Sequence, residues 1–271
     1  MNLKQIRFFK YRGSKLHIID LFNKLIEQTN KKVFVELFVG SGAIFLNTPD
    51  IFDLYIINDI DKNIISMWKA INNFNYSHYV ETKNKIFEIF GDIKNNKNSY
   101  YNFRNFYNEN YHFTDKEEKG IFLYFLANTC INSLLRFGAS GMNQSFGNRF
   151  YFFNENTFNK IKQKMSKTQI FNVNYKDLKI ENESLLYLDP PYYGTDVSYN
   201  KQFEINDLNL LIDYIKKNSN YEVLYSDLSN TISDQLLMHG FKKIETKNMR
   251  NISPNRNREF TKQQEVIYYN V

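Results

Sequence analysis

A doubly wound α/β sheet interrupted by a mainly helical insertion is the fold this chain predicts, and three observations predict it. Residues 33–71 read as strand, glycine-rich turn, helix, strand, helix, the opening of a parallel sheet with crossover helices. Strand signals return at 169–173, 185–188 and 223–226. Between them, over residues 72–160, no parallel-strand unit can be read, and a stretch of about ninety residues is too long for an ordinary connection. The expected division is therefore a sheet domain from residues 1–71 and 161–271, with residues 72–160 as an inserted second domain.

In chain order, Leu16, Ile19, Phe22, Leu25 and Ile26 have the spacing of one helix face. Val33 to Phe38 is an apolar strand that runs into Gly40-Ser41-Gly42, and a short helix is expected from Ala43. Leu54 to Asn58 is a second strand ending at Asp59. Asp61 can cap the next helix, which carries Ile64, Ile65, Trp68 and Ile71. A mostly buried helix is expected over 120–135, followed by a polar, glycine-bearing stretch from Arg136 to Arg149. Helices are expected near 206–217 and 229–238, on either side of the strand at 223–226. Residues 241–247 and 264–269 are expected to close the fold as an antiparallel pair around a basic loop.

Composition narrows the function classes. The chain has 271 residues, a formal charge of +6 and 42% hydrophobic residues, which suits a folded globular protein with a polyanionic partner. It holds 25 Phe and 20 Tyr, a bias that AT-rich codon usage explains more simply than 45 separate roles. One cysteine, Cys130, excludes an intramolecular disulfide, and with only four histidines no zinc-ligand spacing can be assembled, so no metal is expected. No apolar run is long enough to span a membrane, and residues 1–5 do not resemble a signal peptide. A soluble, intracellular protein is expected.

The residues richest in chemistry are Asp189-Pro190-Pro191-Tyr192, which close the apolar strand Leu185 to Leu188. An exocyclic amino group on a flat base is a poor nucleophile because its lone pair is delocalised into the ring. A carboxylate and a fixed carbonyl accepting its two hydrogens would localise that pair. Pro191 restricts the backbone of Pro190 and so aims its carbonyl, and Tyr192 offers a ring to stack on the base. Glu36-Leu37-Phe38-Val39-Gly40-Ser41-Gly42 lacks the third glycine of a dinucleotide fingerprint and the Lys-Ser/Thr of a phosphate loop. A smaller nucleoside with a zwitterionic tail fits it better. Asp59 lies where α/β folds place a ribose-binding acid, and helix capping is its competing role. Lys10-Tyr11-Arg12-Gly13-Ser14-Lys15 is a basic turn at a helix start. Arg136, Asn143 and Gln144 are side-chain types that read base edges, with an ordinary surface loop as the competing reading, and the carboxyl-terminal loop concentrates Lys242, Lys243, Lys247, Arg250, Arg256, Arg258 and Lys262, a density that suits phosphate contact or a solvated charged face.

Together these segments resemble the Dam-type DNA N6-adenine methyltransferases over nearly the whole chain. Lys10 to Lys15 is similar to that family's Lys-Trp-Ala-Gly-Gly-Lys element, with Tyr11 and Arg12 standing in place of Trp and Ala. Phe38-Val39-Gly40-Ser41-Gly42 resembles its methyl-donor motif, Asn58-Asp59-Ile60 the acid after its second strand, and Asp189-Pro190-Pro191-Tyr192 its catalytic motif. Residues 120–149, ending in Phe146-Gly147-Asn148-Arg149, resemble the helix and hairpin that join its target-recognition domain to the active site, although Gly138 to Ser145 departs from the family's usual hairpin sequence. The order (donor loop, recognition insertion, catalytic tetrapeptide) matches as well.

The resemblance implies a Rossmann-like methyltransferase sheet with helices on both faces, S-adenosylmethionine as donor, and N6 of a flipped-out adenine in double-stranded DNA as acceptor. It implies that Tyr11, Lys15, Glu36, Phe38, Gly40 and Gly42 line the donor site, that Asp59 holds the ribose hydroxyls, and that Asp177 lies near the donor adenine. Asp189 would accept from the target amino group and border the donor's methionine end. Lys10, Arg12, Arg136, Asn143, Gln144, Arg149, Arg250, Arg256 and Arg258 form the expected DNA-binding set. A bacterial or bacteriophage origin, a cytoplasmic location and a restriction endonuclease counterpart are consistent with it, and monomer and weak dimer both stay open. Rivals are methylation of cytosine N4, RNA or protein glutamine, and a catalytically silent DNA-binding subunit.

Overall fold

The computed structural model describes residues 5–9, 13–110, 116–131, 135–147, 150–180, 183–192, 203–218, 220–252 and 261–271. Its elements in chain order begin with α1 (Ile19–Ile26), β1 (Val33–Glu36), β2 (Leu54–Asn58), α2 (Lys62–Asn73), α3 (Tyr76–Phe90), α4 (Lys97–Glu109) and α5 (Lys116–Thr129). There follow β3 (Phe137–Gly138), β4 (Gly141–Met142), α6 (Glu155–Met165), β5 (Thr168–Phe171), β6 (Ser184–Leu188), α7 (Ile205–Lys217), β7 (Glu222–Leu228), β8 (Lys242–Ile252) and β9 (Thr261–Tyr269). The fold is mixed α/β. The chain divides into two compact units: residues 1–17, 40–47 and 59–172 form one, and residues 18–39, 48–58 and 173–271 the other.

The second unit is built on strands. Within it the order is β2-β1-β6-β7-β9-β8. β1 pairs in parallel with β2 and β6, and β6 in parallel with β7, whereas β9 is antiparallel to both β7 and β8. Every residue of β1 and β6 is buried, the continuous burial expected of central parallel strands covered on both faces. Helix α1 buries Ile19, Phe22, Leu25 and Ile26, and α7 buries Leu208, Leu211, Ile212 and Ile215. Both follow the apolar stripe of an amphipathic helix. A reciprocal capping box between Glu204 and Asp207 starts α7. Buried Asn58 ties the strand ends together: its Nδ2 donates to the carbonyls of Leu37 and Val173, and its Oδ1 accepts from the Val173 N–H at 3.1 Å.

The first unit is built on helices and aromatic rings, and residues 72–160 lie wholly inside it. Helix α5 is buried from Gly120 to Thr129 with no polar face, as a helix at the centre of a bundle must be. Phe8 packs on Trp68 with ring centroids 4.0 Å apart, and Tyr124 stacks on Phe153 at 4.9 Å. Tyr79 lies against Phe125 and accepts a hydrogen bond from the Phe153 N–H. Much of the Phe and Tyr excess therefore sits in a core of interlocking rings. Asp61 caps α2 by accepting from the Asn63 N–H, as expected.

Three elements differ from expectation. The segment after Ala43 makes a 3-10 turn, Phe45–Asn47, in place of an α-helix. The helix expected over 120–135 starts earlier, at Lys116, and ends at Thr129. There the backbone of Cys130 bridges to Phe146, and the Ile131 N–H donates to the Ser145 carbonyl, so strand-like pairing draws the chain out of the helix. The helix expected at 229–238 is a 3-10 helix, Ser233–His239, closed by Gly240 at φ 83°. Among the described residues no helix is long and apolar enough to cross a membrane, and no group of His, Cys, Asp or Glu could hold a metal ion.

Candidate active site

In the first unit, the glycine-bearing loop and Asp59 meet. The Gly40 N–H donates to Asp59 Oδ2 at 2.9 Å, and the Asp61 N–H donates to Oδ1 at 2.9 Å. Burial pushes the Asp59 carboxyl up to about 6, and the nearby Asp61 carboxylate adds to the rise, while these N–H donors oppose it. Gly40 and Gly42 have φ of 46° and 62°, the left-handed region that a side chain rarely adopts. At Gly42 a Cβ would also sit 2.6 Å from the Trp68 ring. Trp68 supports the loop from below, because its Nε1–H donates to the Gly40 carbonyl at 3.0 Å. This tryptophan, read in the sequence only as a core residue of its helix, is a structural brace of the loop. Lys15 is buried, with Nζ donating to the Gly13 carbonyl at 3.2 Å.

In the second unit, acids collect at the carboxyl ends of the strands. Glu36, the last residue of β1, is buried, and Asp189 follows β6 directly, half-buried. Glu265 on β9 stands opposite Leu228, the last residue of β7, and is 0% exposed. The hydroxyl of Tyr187 meets Ser226 Oγ at 3.3 Å. Burial lifts that hydroxyl well above the ordinary phenol range, and the carboxylates of Asp189, Glu36 and Glu265 add to the lift. Pro190 is buried, and Tyr192 donates its hydroxyl proton to Glu265 Oε1 at 2.9 Å. Burial, then the charges of Asp189 and Glu265, hold the Tyr192 hydroxyl protonated. Glu265 and Tyr187 were not singled out in the sequence. An acid heading the apolar run Val266-Ile267-Tyr268 was the only available signal for the first. Phe38 packs on Tyr175 with centroids 5.3 Å apart, and Asp177 is exposed at the end of the 3-10 turn Tyr175–Asp177.

The expected hairpin forms in the first unit. Phe137 pairs with Met142 and Gly138 with Gly141. Asn108 of α4 clamps it, donating from Nδ2 to the Met142 carbonyl at 2.9 Å and accepting the Met142 N–H on Oδ1 at 2.8 Å. Arg136 and Asn143 are exposed and linked across the hairpin, Arg136 Nε donating to Asn143 Oδ1 at 2.7 Å. Gln144, expected among the base-reading side chains, is instead buried. Its Nε2 donates to the Ile131 carbonyl, and its own carbonyl accepts from Tyr100 and Arg104. The reason is alternation: one residue after exposed Asn143, its side chain points the other way. Arg250 lies on β8, paired with Gln263. The side chain of Arg250, and Lys10, Tyr11, Arg12, Arg149, Arg256 and Arg258, lie outside the described residues.

A family profile described as D12 class N6 adenine-specific DNA methyltransferase matches residues 11–253. The chain is similar to a DNA adenine methylase of Haemophilus influenzae, with 29% identity over 194 residues, or 70% of this chain and 65% of that protein. It is 28% identical to a DNA adenine methylase of Escherichia coli K12, over 70% of this chain and 66% of that one. With a DNA adenine methylase of Vibrio cholerae it shares 24% identity over 264 residues, 93% of this chain and 91% of that one. The chain thus spans 65% and 66% of the length of the first two relatives. The profile takes in the glycine-bearing loop, Asp59, the hairpin and the Asp189 to Tyr192 tetrapeptide alike, and the chain belongs to the D12 class N6 adenine-specific DNA methyltransferase family.

Proposed function

We propose that this chain transfers a methyl group from S-adenosylmethionine to N6 of an adenine flipped out of double-stranded DNA. The observation that carries the reading is the tetrapeptide Asp189-Pro190-Pro191-Tyr192 at the end of fully buried β6, in a chain of this family. The residues present suit the donor. A loop with two positive-φ glycines turns tightly and carries no side chain at either position, and Asp59 offers a carboxylate to a ribose diol. We assign Tyr11, Lys15, Glu36, Phe38, Gly40, Gly42, Asp59, Asp177 and Asp189 to donor binding. When bound, the donor supplies an electrophilic methyl on a sulfonium.

The chain's residues do the rest. Reaching N6 requires the base to leave the stack, at a cost of a few kcal/mol. Asp189 and the Pro190 carbonyl accept the two amino hydrogens and so localise the nitrogen lone pair. Tyr192 covers the base face. Catalysis is then positioning plus electrostatic complementarity, with no covalent enzyme intermediate. Residues 1–71 and 161–271 would form the catalytic part and residues 72–160 the part that selects the DNA site. There Arg136 and Asn143 face solvent and Gln144 holds the root of the hairpin. Arg250, Arg256 and Arg258 would meet phosphates.

The test is to incubate the protein with unmethylated DNA and labelled S-adenosylmethionine, digest to nucleosides and separate them. Label in N6-methyldeoxyadenosine is the expected result. Label in N4-methyldeoxycytidine would overturn the target base, and absence of both label and donor binding would overturn the reading altogether.

A further inference from the structure

We propose that Glu265 is a positioning residue that fixes the ring of Tyr192 for stacking on the target base. This rests on the reading of Tyr192 as the stacking residue. Tyr192 follows two prolines, which restrict the backbone leading up to it. The ring can still turn about its side-chain bonds, and the far end needs its own anchor. Glu265 supplies it: the tyrosine hydroxyl donates to Oε1 at 2.9 Å, a bond to a carboxylate that is 0% exposed.

The fold explains why this acid can reach. β9 is antiparallel to β7, and residue 265 pairs with Leu228, the last residue of β7. β6 runs parallel to β7, so Asp189 and the residues after it leave the sheet at the same edge. Burial strengthens the hydrogen bond that the Glu265 carboxylate accepts, because water does not compete for the acceptor. Buried Asp227, one strand over, answers to four donors of its own neighbourhood: Tyr225, Ser233, Asn230 and the Leu228 N–H. It closes a structural turn. Glu265 differs in that it accepts a bond from the tetrapeptide. A ring held at both ends loses less freedom when a base arrives, which lowers the cost of ordering it in the reactive complex.

The experiment is a mutant cycle read by single-turnover methyl transfer, with donor and DNA affinity and thermal midpoint measured alongside. Tyr192→Phe and Glu265→Leu are each expected to slow transfer about tenfold, the size of one hydrogen bond to a charged group. Donor affinity should stay within about twofold, because the change acts on the orientation of the base and not on the donor. Glu265→Gln, which keeps an acceptor, should recover most of the loss. In a Tyr192→Phe background, Glu265→Leu should cost nothing further. Independent, additive losses, or full activity in Tyr192→Phe, would overturn the proposal. Should Glu265→Leu fail to fold, Tyr192→Phe and Glu265→Gln still decide it from either end of the bond. Tyr192→Ala separates the two readings: if it remains fully active, the stacking role itself falls. If it is inactive while Tyr192→Phe is not, only the role of Glu265 falls.

Discussion

At the scale of single residues, the ribose contact proposed for Asp59 predicts that donor binding depends on pH. Its carboxyl is raised to about 6 from an ordinary 3.8, chiefly by burial. A folded-state value above the unfolded one means that protonation favours the fold. The contribution is fully present below about 3.8 and is lost as pH rises through about 6. Binding a ribose diol asks for the opposite form, because only the carboxylate accepts two hydroxyl protons. Donor affinity is therefore predicted to be flat above about pH 7 and to weaken roughly tenfold per unit well below 6. Asp59→Asn should bind weakly with no such slope. A titration of donor binding between about pH 5 and pH 8 checks it, and a flat profile in the unaltered protein would remove Asp59 from the donor site. Asp189→Ala is predicted to abolish methylation and leave DNA binding within about threefold, since the role proposed for the carboxylate is on the amino group and not on the duplex. Filter binding and nucleoside analysis on the same preparation read both. Near-normal turnover would sink the assignment of the tetrapeptide.

At the scale of elements, the approach of α2 and α5 in the first unit depends on one glycine. A Cβ on Gly120 would run into the Ser66 carbonyl and stand 2.9 Å from the Ala70 Cβ. A backbone carbonyl cannot swing aside as a side-chain tip can, so the helices must part. Gly120→Ala is predicted to cost about 1–3 kcal/mol, the range of overpacked cores, although alanine is the better helix former. For a chain of this size that is a fall of several degrees in the thermal midpoint. Scanning calorimetry decides it, and an unchanged or raised midpoint would mean the helices are not this close. The same scale shows why some elements were legible and others were not. The strand before Gly40, the cap at Asp61 and the apolar stripes of α1 and α7 are written in neighbouring residues. The end of α5 is not legible in the same way, because the pairing of Cys130 with Phe146 stops the helix and lies outside any helical window.

At the scale of the whole molecule, the charge of +6 predicts that DNA binding is dominated by counterion release. If about six phosphates are neutralised, affinity should fall about a thousandfold between roughly 50 and 200 mM salt. Anisotropy of a labelled duplex measures the slope, and a slope near zero would contradict a phosphate-contacting basic surface. The sequence by itself determined the alternation of strands and helices, the glycine loop, the acid at Asp59 and the Asp189 to Tyr192 tetrapeptide. Each is a short-range pattern whose chemistry depends on residues a few positions apart. Tertiary structure alone decided that Trp68 braces the loop through the Gly40 carbonyl, that Gln144 turns inward, and that Glu265 meets Tyr192 across 73 residues of sequence. Those outcomes depend on which strands pair and in what register. A single residue of register moves a side chain to the opposite face, and no local pattern encodes the partner that will be found there.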